Sequence, residues 1–107
     1  MIATAELPLT VSIEELDPDG FTGLGEPAFR TPYPVRARLD AQRRQVQRPD
    51  GSTTLSDATA TVRPRKVPAG SKVTHGTDVY EVIHSRDVLG LRRVEHTELF
   101  LVGPRPS

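Results

Sequence analysis

The sequence predicts an all-β fold: a small β-barrel of about five or six strands with a long hairpin loop and an extended N-terminal arm. Three observations predict it. Apolar and polar residues alternate with period two in "LPLTVSIEEL" and "YPVRARLD", as half-buried strands require. Turn chemistry recurs at short spacing, with 10 prolines and 8 glycines spread along 107 residues. No segment of helix length carries an apolar stripe at the 3.6-residue period. The length implies one domain, 1–107. With 36% apolar and 5% aromatic residues the core is small, and such a chain leans on partner subunits for further burial.

The first strand is predicted around Leu7, Leu9, Val11 and Ile13, with Pro8, Thr10, Ser12 and Glu14 on the other face. It opens an acidic, Pro/Gly-rich arm that runs over 1–32. In "DPDGFTGLGEPAFRTPYP" the density of proline and glycine leaves no regular element, so the expectation is a long loop that crosses the surface or grips a neighbour. Tyr33, Val35, Ala37 and Leu39 then alternate with Arg36, Arg38 and Asp40, giving a second strand with one basic face. "AQRRQVQRPDGSTTLSDA" carries a hard turn at Pro49, Asp50 and Gly51. Its flanks are polar, so the 43–57 hairpin is expected to protrude beyond the core rather than lie on it. "LDAQRRQVQ" has helix formers but no apolar stripe, leaving room for a short helical turn at most.

"TATVRPR" reads as the returning strand, rich in β-branched residues. A short strand follows around Lys72–Thr74, then a turn at Gly76–Thr77 and a strong strand at Val79–His84. "RDVLG" reads as a spacer to the last strand, "LRRVEHTELFLV", and "GPRPS" is expected to stop the ladder, since proline cannot donate to it.

The chain has no cysteine, which excludes disulfides, thiolate metal sites and cysteine nucleophiles. No apolar run approaches 18 residues, so no membrane span is expected, and "MIATAELPLTV" lacks the basic start of a signal peptide. The net charge of zero hides a segregation. Residues 1–29 hold Glu6, Glu14, Glu15, Asp17, Asp19 and Glu26 with no lysine or arginine. Residues 30–66 hold Arg30, Arg36, Arg38, Arg43, Arg44, Arg48, Arg63, Arg65 and Lys66 against Asp40, Asp50 and Asp57. Such a split suits head-to-tail docking with copies of itself or with charged neighbours. Pairing of the acidic arm with the basic strands of the same chain is the alternative.

"HGTDVYEVIH" places His75, Asp78, Glu81 and His84 within one short stretch, and the first question is whether they share a metal. With Gly76–Thr77 as a two-residue turn, His75 sits opposite Asp78 and Val73 opposite Tyr80. His84 then lies roughly 20 Å up the second arm at the usual rise per strand residue. His75 with Asp78, and His96 with Glu98, make pairs only, short of the three or four ligands a zinc site needs. No metal or other cofactor is expected.

A hydrolase reading fares no better. Ser12, Ser52, Ser56, Ser71, Ser85 and Ser107 lie in no nucleophile-elbow pattern, and Ser85 beside His84 points to the opposite face. "GFTGLGEP" is followed by Pro27 rather than by a helix, so it is no phosphate loop. "DPDG" lacks the later ligands of a calcium loop. An enzyme is not expected. Nucleic-acid contact has more behind it: Arg36, Arg38, Arg43, Arg44, Arg48 and Arg63 could form a basic stripe. The region holds only Tyr33 as a stacking platform, which argues against base readout and leaves phosphate contact. Arginine on exposed strands also serves to blunt edge pairing.

From Val67 onward the order "G-S-K-V" (Gly70 to Val73), "G-T-D" (Gly76 to Asp78), "Y-E-V" (Tyr80 to Val82), Gly90 and "H-T-E-L-F-L" (His96 to Leu101) resembles the head-to-tail connector proteins of tailed bacteriophages, in particular the head-closure or stopper family. The early "PLTV" strand, the "DPDG" loop, "VRAR" and the "PDG" hairpin fit the same pattern, so the resemblance covers most of the chain. Each motif is short; their order carries the likeness. The adaptor and tail-terminator families share parts of it, although adaptors are mainly helical.

The resemblance implies a structural virion protein of the phage neck, made in the host cytoplasm. It implies a small barrel assembled with itself as a ring, hexamer or dodecamer, below the portal and adaptor proteins. The ring closes the portal channel to retain the packaged duplex DNA and docks the tail terminator or tail tube. The channel-facing loop would be Arg43, Arg44, Gln45, Gln47, Arg48, Pro49, Asp50, Gly51 and Ser52. Neighbours would be met by Glu14, Glu15, Asp17, Asp19, Phe21, Phe29, Arg36 and Arg38. One departure is the charge of the loop. Arg43, Arg44 and Arg48 in a channel would attract phosphate and slow DNA passage, unless they pair with acids of a neighbour such as those of the 1–29 arm.

Overall fold

The computed structural model describes residues 7–21, 25, 27–47, 50–90 and 94–106. The described chain is all-β. Its strands are β1 (Leu9–Glu14), β2 (Leu16–Phe21), β3 (Pro27–Phe29), β4 (Tyr33–Asp40), β5 (Arg44–Gln47), β6 (Thr53–Ser56), β7 (Ala58–Val62), β8 (Lys72–His75), β9 (Asp78–Leu89) and β10 (Val94–Pro106). Six of them close a barrel in the order β1-β4-β7-β10-β9-β8. Every pairing is antiparallel, and β8 returns to β1 to seal the cylinder. Closure leaves the barrel itself no free edge.

The period-two patterns land as the sequence predicts. Val11 and Ile13 of β1, and Val35 and Ala37 of β4, point inward and are buried, while Arg36 and Arg38 are exposed. The interior is completed by Ala58, Ala60 and Val62 of β7, Val73 of β8, Val82 of β9, and Leu99 and Leu101 of β10. A six-strand barrel is narrow, and the two alanines of β7 opposite leucines of β10 fit that taper. Gly76, with φ 63°, turns β8 into β9, and His75 pairs with Asp78 and Val73 with Tyr80 as the spacing requires.

Four expectations need correction. The 17–34 segment is not without regular structure: β2 and β3 pair as a two-stranded ladder whose register breaks between Leu16 and Phe21. Its backbone is held where the strap leaves the barrel. Leu16 N–H donates to Ser71 Oγ at 3.0 Å, and Arg30 N–H donates to the Glu15 carbonyl at 2.8 Å. Pro18 and Pro27 are tolerated because a two-stranded ladder is all edge.

Second, "RDVLG" is not a spacer. β9 runs on to Leu89, with Asp87 opposite Thr97 and Val88 opposite His96. Cross-strand polar contacts replace the missing apolar pattern: Arg86 pairs with Glu98, and Thr97 Oγ1 meets Asp87 Oδ1 at 3.0 Å. Third, the ladder does not end at Gly103-Pro104. It skips there and resumes with Arg105 opposite Val79 and Pro106 opposite Asp78. Gly103 N–H, lost to the ladder, donates to Asp57 Oδ2 at 2.9 Å.

Fourth, the hairpin of β5 and β6 forms its own two-stranded sheet outside the barrel, yet it does not stand clear of it. Val46, 7% exposed, packs on Ile83, Phe100 and the half-buried Val102. These three lie on the outer wall of β9 and β10, so one valine in a polar hairpin finds an apolar seat there.

Candidate functional site: the outer hairpin and the basic wall

The hairpin keeps its tip by side-chain contacts of its own. Asp50 Oδ1 accepts from Ser52 N–H at 2.9 Å and from Ser52 Oγ at 2.6 Å, the Asx-type closure that Asp-Gly turns favour. Its rungs are Arg44–Ser56, Gln45–Leu55, Val46–Thr54 and Gln47–Thr53. Val46 is the single buried apolar side chain of β5 and β6, and Leu55 on the opposite face is 53% exposed.

The base is pinned by Asp57. Its N–H donates to the Leu101 carbonyl at 2.7 Å. Its carboxylate accepts from Gly103 N–H and stands 3.8 Å from Arg43 Nε. Between tip and base, hairpin and wall enclose an open cleft of about 460 Å³, lined by Gln45, Val46, Gln47, Gly51, His84, Arg86 and Phe100. On its floor His84 stacks on Phe100, centroids 5.9 Å apart and planes 14° from parallel. The Arg86 guanidinium lies 5.6 Å from the same ring while reaching Glu98.

The wall beyond is β4. Arg38, Thr61, Glu98 and Arg86 form one cross-strand row over β4, β7, β10 and β9. Arg86 is met by Glu98, but Arg36, Arg38 and Arg44 are exposed and make no ion pair among the described residues.

Of the residues expected to face a channel, Arg43, Arg44, Gln45, Gln47, Asp50, Gly51 and Ser52 all lie on this one hairpin; Arg48 and Pro49 fall outside the described residues. Arg43 already has a partner, Asp57 of its own chain, so no neighbour is needed to balance it.

The residues expected to meet neighbours divide. Glu14 sits opposite Lys72 across β1 and β8. Glu15 Oε2 accepts from Tyr33 Oη at 2.7 Å. Phe29 takes Lys72 Nζ over its ring, 4.4 Å from the centroid. These three have neighbours within their own chain, but none of the three contacts is an ion pair between the acidic arm and the arginines of 30–66. Asp17 is half-buried on β2 against Gly20; the side chains of Asp19 and Phe21 lie outside the described residues. Arg36 and Arg38 alone of the set stand exposed and without an ion-pair partner among the described residues.

The Glu15–Tyr33 contact has an electrostatic signature. Burial raises the Tyr33 phenol above its usual pKa, the bond to Glu15 raises it further, and Arg65, whose guanidinium lies 5.2 Å from the ring, opposes them. Burial likewise raises Tyr80.

The histidines do not converge. His75 is at the turn, His84 on Phe100 and His96 opposite Val88, and among the described residues no three His, Asp or Glu are grouped to hold a metal. Ser85 pairs with inward-facing Leu99, on the face away from His84.

Sequence reasoning missed Asp57 and Phe100. Asp57 carried a signal, as a lone acid between two strands. Phe100 carried a weaker one: two residues from Glu98, it shares that residue's outward face, but the apolar run "LFLV" hides it. No protein-family model matches the chain, and no curated protein matches it in sequence.

Proposed function

We propose that the chain is a ring-forming neck component of a tailed bacteriophage, a head-closure stopper. In this reading its β5–β6 hairpin narrows the channel that holds packaged DNA. The connector-like order of motifs and the six-strand barrel support the reading. The observation that carries it is the way the hairpin is held. It is a separate sheet with polar flanks, fixed at its base by Asp57 and seated at mid-length by Val46, its single buried apolar side chain among the described residues. Burying one valine is worth about 2 kcal/mol, so the arm rests closed and lifts without disturbing the barrel. A gate needs that combination.

The mechanism is mechanical. The barrel supplies a rigid ring segment, the hairpin swings about Asp57, and the tip at Asp50–Ser52 meets DNA or a neighbouring tip. The isolated chain is expected to be a weakly associating monomer that forms rings only on a portal–adaptor complex. Analytical ultracentrifugation of the free chain, and electron microscopy of the chain mixed with that complex, test this. A stable free dimer that fails to dock contradicts it.

A second reading rests on Arg36 and Arg38, exposed on β4 and unmet by any acid among the described residues: a small barrel that contacts nucleic acid through this strand face. Salt-dependent duplex binding by the free monomer, lost on replacing both arginines, would favour it.

A further inference from the structure

Away from the hairpin, Arg36, Arg63 and Arg65 line one open cleft of about 230 Å³ with Pro34 and Val35 as its apolar wall. Two elements bring them together. Arg36 projects outward from β4, and Arg63 and Arg65 follow directly on β7, the neighbour of β4 in the barrel. The second element is fixed rather than loose. Thr97 Oγ1 accepts from Arg65 N–H at 3.2 Å and gives its one proton to the Arg65 carbonyl or to Asp87. The Arg65 guanidinium rests against the Tyr33 ring. Among the described residues no carboxylate lines the cleft, and Glu15 Oε2 accepts from the Tyr33 hydroxyl.

We propose that this cleft binds a phosphate-class oxyanion. Arg36 and Arg65 line the same depression from two elements and make no ion pair among the described residues, so their two charges there favour an anion. Guanidinium groups offer fork-shaped donor pairs that match phosphate oxygens. A carboxylate has two oxygens in one plane and one charge, enough for one fork. A phosphate presents more oxygens in three dimensions and up to two charges, so it meets guanidinium groups arriving from β4 and from the segment after β7 at once. The site is complete in a single chain and stands whether or not the chain forms a ring.

The test is a titration of the ¹⁵N-labelled full chain with inorganic phosphate, ionic strength held constant with sodium chloride. The arginine Nε–Hε resonances are followed by NMR. The resonances of Arg36 and Arg65 are expected to shift saturably and together, while that of Arg44 stays. Arg65→Gln should weaken binding about tenfold or more, the usual loss for one charge-assisted hydrogen bond, and Arg44→Gln should leave it unchanged. Arg36→Gln, on an exposed strand position, is expected to give the same loss and carries the test if Arg65→Gln does not fold.

Uniform, unsaturable shifts of all arginines would overturn the proposal, as would saturation by acetate but not by phosphate, which would mark a carboxylate site for an acidic peptide or a second copy. A short DNA duplex separates the sources of phosphate. Competition with inorganic phosphate at Arg65 supports the site with a nucleic-acid backbone as ligand. A duplex that moves Arg38 and Arg44 but not Arg65 supports the site with free phosphate as ligand.

Discussion

Val46 is one apolar side chain among Arg44, Gln45 and Gln47, and it decides where the hairpin rests. Val46→Ala should cost about 1–2 kcal/mol of local stability. Hydrogen exchange is expected to speed up across β5 and β6 while the amides of β4 and β7 keep their protection. Equal acceleration throughout the barrel would mean that Val46 belongs to the global core.

Tyr33 gives a pH-dependent handle. Its folded pKa lies above the unfolded value of 10.0. The stability it contributes is therefore fully present below about pH 10 and is lost as pH rises through the folded pKa. Melting temperature measured from pH 8 upward should fall in that alkaline range, and Tyr33→Phe should remove part of the fall. The part due to Tyr80, also raised by burial, should remain. An unchanged alkaline slope in Tyr33→Phe would detach Tyr33 from it.

The elements differ in how legible they were. β1 and β4 were plain, because one face meets the core and the other meets water, and period two records that. β7 reads less clearly because all five of its residues are buried: Ala58 and Ala60 face the interior, while Thr59 and Thr61 are covered on the outer wall. The distal half of β9 was illegible, since Arg86 and Asp87 stay in the strand through partners on β10, a tertiary cause that no local pattern carries.

The β2–β3 strap was hidden by its prolines. It lies against the barrel at Gly70, where φ is +93° and an added Cβ would come within 2.9 Å of Leu16 Cδ2. Gly70→Ala should therefore destabilise the fold by about 1–3 kcal/mol through backbone strain and the clash. Adding Leu16→Ala should recover the clash part but not the strain. Purely additive losses in chemical denaturation of the double mutant would show that the strap does not press on Gly70.

At the scale of the molecule, Glu14 and Glu15 of the acidic arm meet Lys72 and Tyr33 rather than the arginines of 30–66, and the ion pair of Asp57 with Arg43 lies within the basic segment itself. Outward and without an ion pair among the described residues stand Arg36, Arg38 and Arg44 on the wall and hairpin, with Asp40 at the end of β4. The hairpin's existence and turn were legible from "PDG" and its polar flanks. Its seat was not, because it depends on Phe100 and Ile83 turning outward.

The central claim, the proposal that the hairpin gates a DNA channel in a phage neck, is tested most directly by trimming residues 45–55 in a phage whose genome encodes the chain, should the proposal hold, and measuring DNA retained in filled, tailless heads. The account expects heads that still assemble and incorporate the trimmed chain but lose their DNA. Full retention of DNA in such heads would contradict it.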